Sequence, residues 1–234
     1  PAHTHDDPSS IDLTEITSSN LDFENDFKTT RPNQFVQNQL FIYENDFFLN
    51  KFNFSLYLGH FKNNLKEYEK WTLPAFDIEL SNTLITPSVR YINKNLKLNF
   101  GSQISFSENY NNMIERLIPN ATSLNIGPYA ILDFEKNNFG LNSGIRYDYK
   151  SLKSIDEIFN TNFDEVFSTT SLSSGIYYNH KEHILRFCYS EAFRSPHFSE
   201  LFSNGVHHGT NRFEIGDNSL SIEKSNQFDF KHQW

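Results

Sequence analysis

The sequence is poor in several features that define other classes of protein. Cys188 is the only cysteine, so neither an internal disulfide framework nor a zinc site built from a cysteine cluster can form. No stretch reaches the roughly 18 apolar residues that a membrane-spanning helix requires. Basic residues are scarce as well, with 20 Lys+Arg against 29 Asp+Glu, and a nucleic-acid partner would need a basic surface. Helical membrane proteins and DNA- or RNA-binding proteins are therefore excluded.

Signs of a natural start are also missing. The chain begins with Pro1, and its only methionine is Met113. No basic segment followed by an apolar one precedes the first predicted strands, as a secretory signal would require. We therefore expect this chain to be a piece of a longer protein.

Aromatic residues, in contrast, are abundant, with 24 Phe and 11 Tyr. Aromatics favour strands, and they also form the interfacial girdles of membrane barrels. Between Leu96 and Phe106 the even positions are mostly apolar and the odd positions are polar or small. Successive strand side chains point to opposite faces, so this alternation predicts a strand with one apolar and one polar face. The same split recurs at residues 52–58, 123–134 and 139–150.

Strands of this kind predict an all-β fold, an antiparallel up-and-down transmembrane β-barrel of which this chain is a part. Such strands alternate between lipid and lumen, so the negative mean hydropathy of −0.58 does not exclude a membrane protein. We expect strands of about 11 residues, which match a tilted membrane crossing. One set of side chains should point away from the barrel axis: Leu98, Phe100, Leu132, Leu141 and Ile145. The opposite set should point toward it: Asn99, Gln103, Arg146, Asp148 and Cys188.

The predicted connections alternate between short and long, as in an outer-membrane barrel whose long loops face outside. Short connections are expected at 44–50, 93–95, 135–138 and 179–182, and long ones at 63–75, 107–120, 151–166 and 194–223. About nine strands would account for residues 33–234, the partial barrel domain. Residues 1–32, rich in Asp, Ser and Thr, are interpreted as the remnant of an outer loop.

The segment Tyr189–Gln227, here called the signature segment, reads YSEAFRSPHFSELFSNGVHHGTNRFEIGDNSLSIEKSNQ. It closely resembles the signature block in the barrel of TonB-dependent outer-membrane receptors. The matching positions include Arg194, Pro196, Glu200, Asn204, Gly205, His207, His208, Gly209, Glu214 and Gly216. The chain departs from the pattern at Ser195, usually Ala, and at Ser219 and Ser221, where Pro is common.

The resemblance implies a barrel of about 22 strands in the outer membrane of a Gram-negative bacterium. It also implies an N-terminal plug in the lumen, a TonB complex that energises transport through that plug, contact with outer-membrane lipid, and a nutrient as ligand. Nine strands cannot close such a barrel, so the plug and the later strands would lie outside this chain.

Several residues of the signature segment also have physical reasons for their positions. Pro196 cannot donate to a ladder, so it should end the strand that begins near His183. Gly205, Gly209 and Gly216 would permit positive φ in a loop that folds back on itself. His207 and His208 are adjacent and point opposite ways on an extended segment, so they should pack within the loop rather than share one ion.

A candidate metal site lies at the start of the chain. His3, His5, Asp6 and Asp7 place two imidazoles and two carboxylates within reach of one divalent ion, a set that suits zinc or copper as cargo. The competing interpretation is a solvated polar loop that happens to contain histidine. No resident cofactor is expected.

No enzymatic site is predicted. Ser195 and His197 lie two residues apart but lack a Gly-x-Ser-x-Gly elbow, and no glycine-rich loop that could bind phosphate is present. The leading hypothesis is a transport receptor for active uptake of a nutrient, with a metal ion or a metal chelate as possible cargo. The alternatives are a soluble all-β binding module, which would bury its apolar strand faces in a core, and a passive porin, which would lack the signature block.

Overall fold

The computed structural model describes residues 33–68, 73–113, 117–207 and 212–234. Eight long strands come first: β1 (Asn33–Leu49), β2 (Phe52–Tyr68), β3 (Phe76–Asn93), β4 (Leu96–Asn111), β5 (Ala121–Lys136), β6 (Phe139–Asp156), β7 (Thr161–His180) and β8 (His183–Arg194). The signature segment follows with a short helix, α1 (Phe198–Phe202), and two short strands, β9 (Asn204–His207) and β10 (Arg212–Ile215). The last strand is β11 (Glu223–Gln233). No helix in these described ranges is long and apolar enough to cross a membrane.

Nine strands form one antiparallel sheet in the order β1-β2-β3-β4-β5-β6-β7-β8-β11, and β9 pairs only with β10. Each strand from β1 to β7 pairs with its successor in sequence, which is an up-and-down order. The predicted fold class, an all-β antiparallel up-and-down barrel wall of about nine strands, is confirmed. The sheet is open, with β1 and β11 at its two edges.

Four connections, all at one end of the sheet, are two-residue turns. They lie at residues 50–51, 94–95, 137–138 and 181–182. Asn50, Asn137 and Lys181 open three of these turns with φ between 53° and 55°. Asparagine tolerates this left-handed region better than most side chains, which explains its use in the tightest turns.

The strands are longer than predicted. Strands β1 to β7 have 16 to 20 residues rather than about 11. The predicted long connection over 151–166 is wrong, because β6 continues to Asp156 and β7 begins at Thr161. Residues 63–68 and 107–111 also belong to strands rather than loops. These stretches carry polar side chains, such as Lys153, on the face that is apolar nearer the two-residue turns, and polarity alone does not end a strand.

One face of the sheet is apolar and exposed. Directly opposed residues form an apolar ladder across five strands: Phe134, Leu141, Ile176, Phe187 and Phe230. The side chains of Phe100, Ile145 and Leu172 on this face are 48%, 49% and 45% exposed. A soluble module would have buried this face, so that alternative does not fit the described residues. We call this exposed surface the apolar band.

The other face is polar. Asn125 donates to Ser105 across β4 and β5 over 3.0 Å, and Asn142 donates to Asp133 across β5 and β6. Gln103, Arg146 and Asp148 lie together on this face, opposite the apolar band, as the alternation predicted. Cys188 is on it as well, because its Sγ lies beside the cross-strand partner Gly175.

The buried apolar residues are concentrated away from the two-residue turns. In the described part of the chain they are Tyr68, Ile78, Ala121, Leu152, Leu201 and Phe202. All of them lie on the long-connection side of the sheet or in the signature segment. The conventional core of this protein is therefore a local structure at one end.

Candidate functional site on the polar face

An open cavity of about 330 Å³ lies on the polar face beneath the start of the signature segment. Most of its lining comes from β4, β5, β6, β7 and the end of β8: Gln103, Ser105, Asn125, Arg146, Asp148, Lys150, Phe167 and Arg194. The cavity thus combines three cationic side chains, one carboxylate and several neutral hydrogen-bonding groups. It can bind a polar ligand by hydrogen bonds and charge together.

Arg146 is held against the wall of this cavity. Its Nε donates to both carboxylate oxygens of Asp148 over 2.8 Å, and Nη2 lies 2.7 Å from Asp148 Oδ1. Nη2 also donates to Gln103 Oε1 over 3.3 Å. Arg146 and Asp148 are two residues apart on β6, so strand alternation alone places them on the same face.

Polar contacts of Arg194, Pro196 and Glu200 hold the start of the signature segment against the sheet. Lys150 Nζ donates to the carbonyl oxygen of Pro196 over 2.9 Å. Arg194 donates to Glu200 over 2.6 Å and to Glu223, on β11, over 3.0 Å. Strand β8 ends at Arg194, two residues before Pro196, in agreement with the predicted strand end. These contacts fix the point where the chain leaves β8 and turns over the polar face.

Helix α1 is capped by its own neighbours. His197 is the N-cap, and its ring accepts from the Ser199 amide while the Glu200 carboxylate accepts from the His197 amide over 2.8 Å. This reciprocal arrangement is a capping box. Two hydrogen bonds, the larger effect coming from Arg194 and the smaller from the His197 amide, lower the pKa of Glu200 to about 2. Partial burial, followed by the positive charge of Lys150, lowers the pKa of His197 below 6.5.

An apolar anchor fixes α1 to the sheet. Leu201 and Phe202 are buried against Leu152 of β6, and the ring of Phe163 meets that of Phe202 edge-on at 5.0 Å. Phe167 and Phe198 complete the cluster. We call α1 together with Leu152, Phe163 and Phe167 the cap. Because Leu152 is fully buried beneath it, the cap is a packed part of the structure rather than a loose loop.

Gly216 has a different role from the one predicted. No glycine in the described ranges has a positive φ, so the expectation of positive φ is wrong for Gly205 and Gly216, and Gly209 lies outside those ranges. Instead, a Cβ on Gly216 would lie 2.5 Å from the backbone of Leu201 and Phe202. Its amide donates to the Ser203 carbonyl over 2.6 Å. Gly216 is therefore required for close backbone approach to α1.

The remaining signature residues build a small hairpin. In it, Asn204 pairs with Ile215, Gly205 with Glu214, and His207 with Arg212. The Asn204 amide donates to the carbonyl of Leu117, in the connection between β4 and β5, over 3.2 Å. His208 lies outside the described residues, so the packing predicted for the histidine pair stays a prediction.

Sequence reasoning placed Lys150 on the polar face but missed its contact with Pro196, and it missed Leu152, Phe163 and Phe167 altogether. One signal was available for Leu152: it is apolar at a position where the alternation of β6 puts polar residues. An apolar side chain on a polar face marks a place where another part of the chain packs.

A second open cavity, of about 570 Å³, lies on the same face nearer the two-residue turns. Glu135, Tyr177, Arg186 and Cys188 contribute to its lining. The guanidinium of Arg186 lies 5.9 Å from the centre of the Tyr177 ring.

The predicted metal ligands His3, His5, Asp6 and Asp7 fall outside the described residues, so that site stays a prediction. Elsewhere, within the ranges that the structure describes, no group of three or more His, Cys, Asp or Glu side chains is placed to hold a metal ion.

The family model described as TonB dependent receptor-like, beta-barrel, matches residues 2–234. No curated protein matches the chain in sequence. Three similar solved structures are the copper transporter OprC (TM-score 0.57, 17% identity), the FrpB iron transporter from Neisseria meningitidis in its apoprotein form (0.59, 14%), and a double mutant of the Serratia marcescens hemophore receptor HasR in complex with its hemophore HasA and heme (0.58, 12%). They align with 86%, 84% and 86% of this chain and with 36%, 34% and 36% of their own chains, so the chain spans about a third of their length. At these identities the likeness concerns the fold.

Proposed function

This chain belongs to the TonB-dependent receptor β-barrel family, and we propose that it is part of the wall of a transporter that imports a nutrient across the outer membrane with energy supplied through TonB. Receptors of this family are found in the outer membrane of Gram-negative bacteria, and we assign the same location to this protein. The TonB complex would act through a plug region that is not part of the described wall.

One observation carries the proposal: the same strands that expose an apolar band on one face line a polar cavity on the other. Lipid is the solvent that favours an exposed row such as Phe100, Ile145 and Leu172. On the opposite face Gln103, Arg146 and Lys150 offer hydrogen bonds and charge to a polar cargo. A wall with these two surfaces separates a lipid phase from an aqueous path.

For the cargo, we propose a metal ion or a metal chelate. The similar solved structures include proteins described as copper and iron transporters and a receptor bound to heme, which motivates this choice. His3 and His5, with Asp6 or Asp7, would supply imidazole nitrogens and a carboxylate oxygen to zinc or copper at an outer loop. Capture requires neutral imidazoles, so affinity should fall as the pH drops through about 6.5.

The test is uptake of radioactive zinc and copper by cells that carry the full-length receptor. Uptake should require TonB, and the pair His3→Ala/His5→Ala should reduce it. A matched control is His60→Ala/His180→Ala, which removes two exposed histidines of the sheet's apolar face. Unchanged uptake by the His3→Ala/His5→Ala variant would favour the interpretation of the N-terminal residues as a solvated loop that binds no metal. It would also favour an organic chelate as cargo. Uptake without TonB would favour a passive porin.

A further inference from the structure

Three large side chains on the polar face do not project from the wall but lie across a glycine of the neighbouring strand. Tyr129 lies over its cross-strand partner Gly101, where a Cβ would be 2.5 Å from the phenolic oxygen. Tyr177 lies over its partner Gly140 in the same way, and a Cβ there would overlap the ring. Arg146 lies over Gly127, where a Cβ would overlap Nη2 and come within 2.5 Å of Cζ.

The positions of these side chains are reinforced by polar partners. Arg146 is held by Asp148 and Gln103. Tyr177 is hydrogen-bonded to Glu135, and the guanidinium of Arg186 covers its ring. Because these partners lie along the wall, Arg146 and Tyr177 follow the wall instead of entering the space in front of it.

We propose that Gly101, Gly127 and Gly140 determine the clearance of the transport path, and therefore the size of cargo that passes, by keeping Tyr129, Arg146 and Tyr177 flat against the wall. Any side chain at these glycines would occupy the place of the neighbouring ring or guanidinium. The added Cβ would then push the displaced group off the sheet, toward the lumen. The inference rests on the proposed function, since it treats the polar face as the path of the cargo.

Glycine on this face is not uniformly a clearance position, which provides a matched control. At Gly144, on the same strand as Gly140, a Cβ would meet only the Ser173 hydroxyl at 3.0 Å, with the next atom at 3.7 Å. A hydroxyl can rotate away at little cost, whereas the Tyr177 ring, two atoms of which would overlap a Cβ at Gly140, would have to move as a whole. Gly101 is less suitable for a test, because a Cβ there would also lie 2.9 Å from the rigid carbonyl of Pro87.

The experiment uses the full-length receptor in cells, with radioactive zinc, copper and ferric citrate as probes. Gly140→Ala should lose most of the uptake, Gly144→Ala should retain it, and Gly140→Ala/Tyr177→Ala should regain it because the obstructing ring has been removed. Heat-modifiable migration of the outer-membrane fraction reports whether each barrel has assembled. Full uptake by an assembled Gly140→Ala receptor would overturn the proposal, and so would loss of uptake that Tyr177→Ala does not restore.

A crystal structure of full-length Gly127→Ala provides a readout that does not depend on transport. The proposal requires the Arg146 guanidinium to leave the wall and enter the lumen, while a guanidinium that stays beside Asp148 contradicts it. If the wild-type receptor takes up none of the probes, the proposed cargo fails, but this structure still tests the clearance positions. It also decides the matter if Gly140→Ala does not assemble.

Discussion

The two ends of the sheet have opposite polarity, and β6 shows the reversal within one strand. Toward the two-residue turns, Ile145 and Tyr147 point to the apolar face and are 49% and 45% exposed, while Arg146 and Asp148 point to the polar face. A few residues further, Lys153 lies on the formerly apolar side in an ion pair with Asp164, and Leu152 is fully buried on the formerly polar side. Along β6 the apolar side chains therefore change from exposed positions on one face to buried positions on the opposite face.

Strands β2 and β3 repeat the change. Phe54 and Leu58 occupy the apolar face of β2, but the same face later carries Lys62, which pairs with Glu79 at 2.7 Å. On the opposite face Ile78 is 4% exposed. A single strand can satisfy both patterns only if its surroundings change from lipid to water along its length. The wall is therefore longer than the apolar band, and its long-connection end is organised like a water-soluble protein.

The largest effect is expected in the cap. Leu152→Ala removes a fully buried side chain beneath Leu201 and Phe202, and such truncations cost about 2–5 kcal/mol. The control is Ile155→Ala on the same strand, which is 75% exposed and should change stability by less than about 0.5 kcal/mol. Hydrogen exchange of the residue 198–204 amides in the full-length receptor measures the effect of each of the two substitutions on the cap. Equal protection in the two variants would mean that the cap is not packed as described.

A slightly smaller effect is expected in the apolar band. Leu98→Arg places a charge on the lipid-facing side of the apolar band and should cost more than about 1 and at most about 4 kcal/mol, because the cost rises from the interface to the bilayer midplane. Val166→Arg, on the same face at the long-connection end, should cost about 0–1 kcal/mol, because that level approaches water. Asn99→Arg, on the polar face, should also cost much less than Leu98→Arg. Refolding into vesicles measures all three, and equal losses for Leu98→Arg and Val166→Arg would remove the distinction between the ends.

The sequence predicted the apolar band well, because a period of two determines both the strand and its face. Leu98, Phe100 and Ile145 all lie on the apolar face, and Gln103 lies on the opposite one. The same rule could not predict the strand ends. It took the stretch 151–166 for a loop, because polar side chains such as Lys153 appear there on the face that had been apolar, although the backbone stays paired to Asp156 and again from Thr161.

The cap could be predicted only in part. The signature segment identified the residues that matter, including Pro196, Glu200 and Gly216, but not what they contact. The hydrogen bond from Lys150 to Pro196 and the packing of Leu152 on Leu201 join residues more than 40 positions apart. The pattern of a single sequence does not predict such long-range contacts. Gly216 illustrates the same limit, since the need for space arises from the backbone of α1 rather than from its own φ.

The smallest effect concerns pH, and it arises in the cap, where a histidine and a carboxylate hold the first turn of α1. The neutral ring of His197 accepts from Ser199, and burial lowers its pKa, so its contribution is complete above about 6.5 and is lost as the pH falls below that value. Glu200, with a pKa of about 2, keeps its contribution until the pH falls through about 4.5 toward 2. Protection of the Leu201 and Ser203 amides, corrected for intrinsic exchange, should therefore decrease in two steps as the pH is lowered.

Two variants assign these steps. His197→Asn preserves a good N-cap without titrating and should remove the upper step, while Glu200→Gln should remove the lower one. Because the Arg194–Glu200 pair is solvent-exposed, both steps should be small beside the effect of Leu152→Ala. Protection that increases on acidification, or the same two steps in both variants, would show that other groups hold α1.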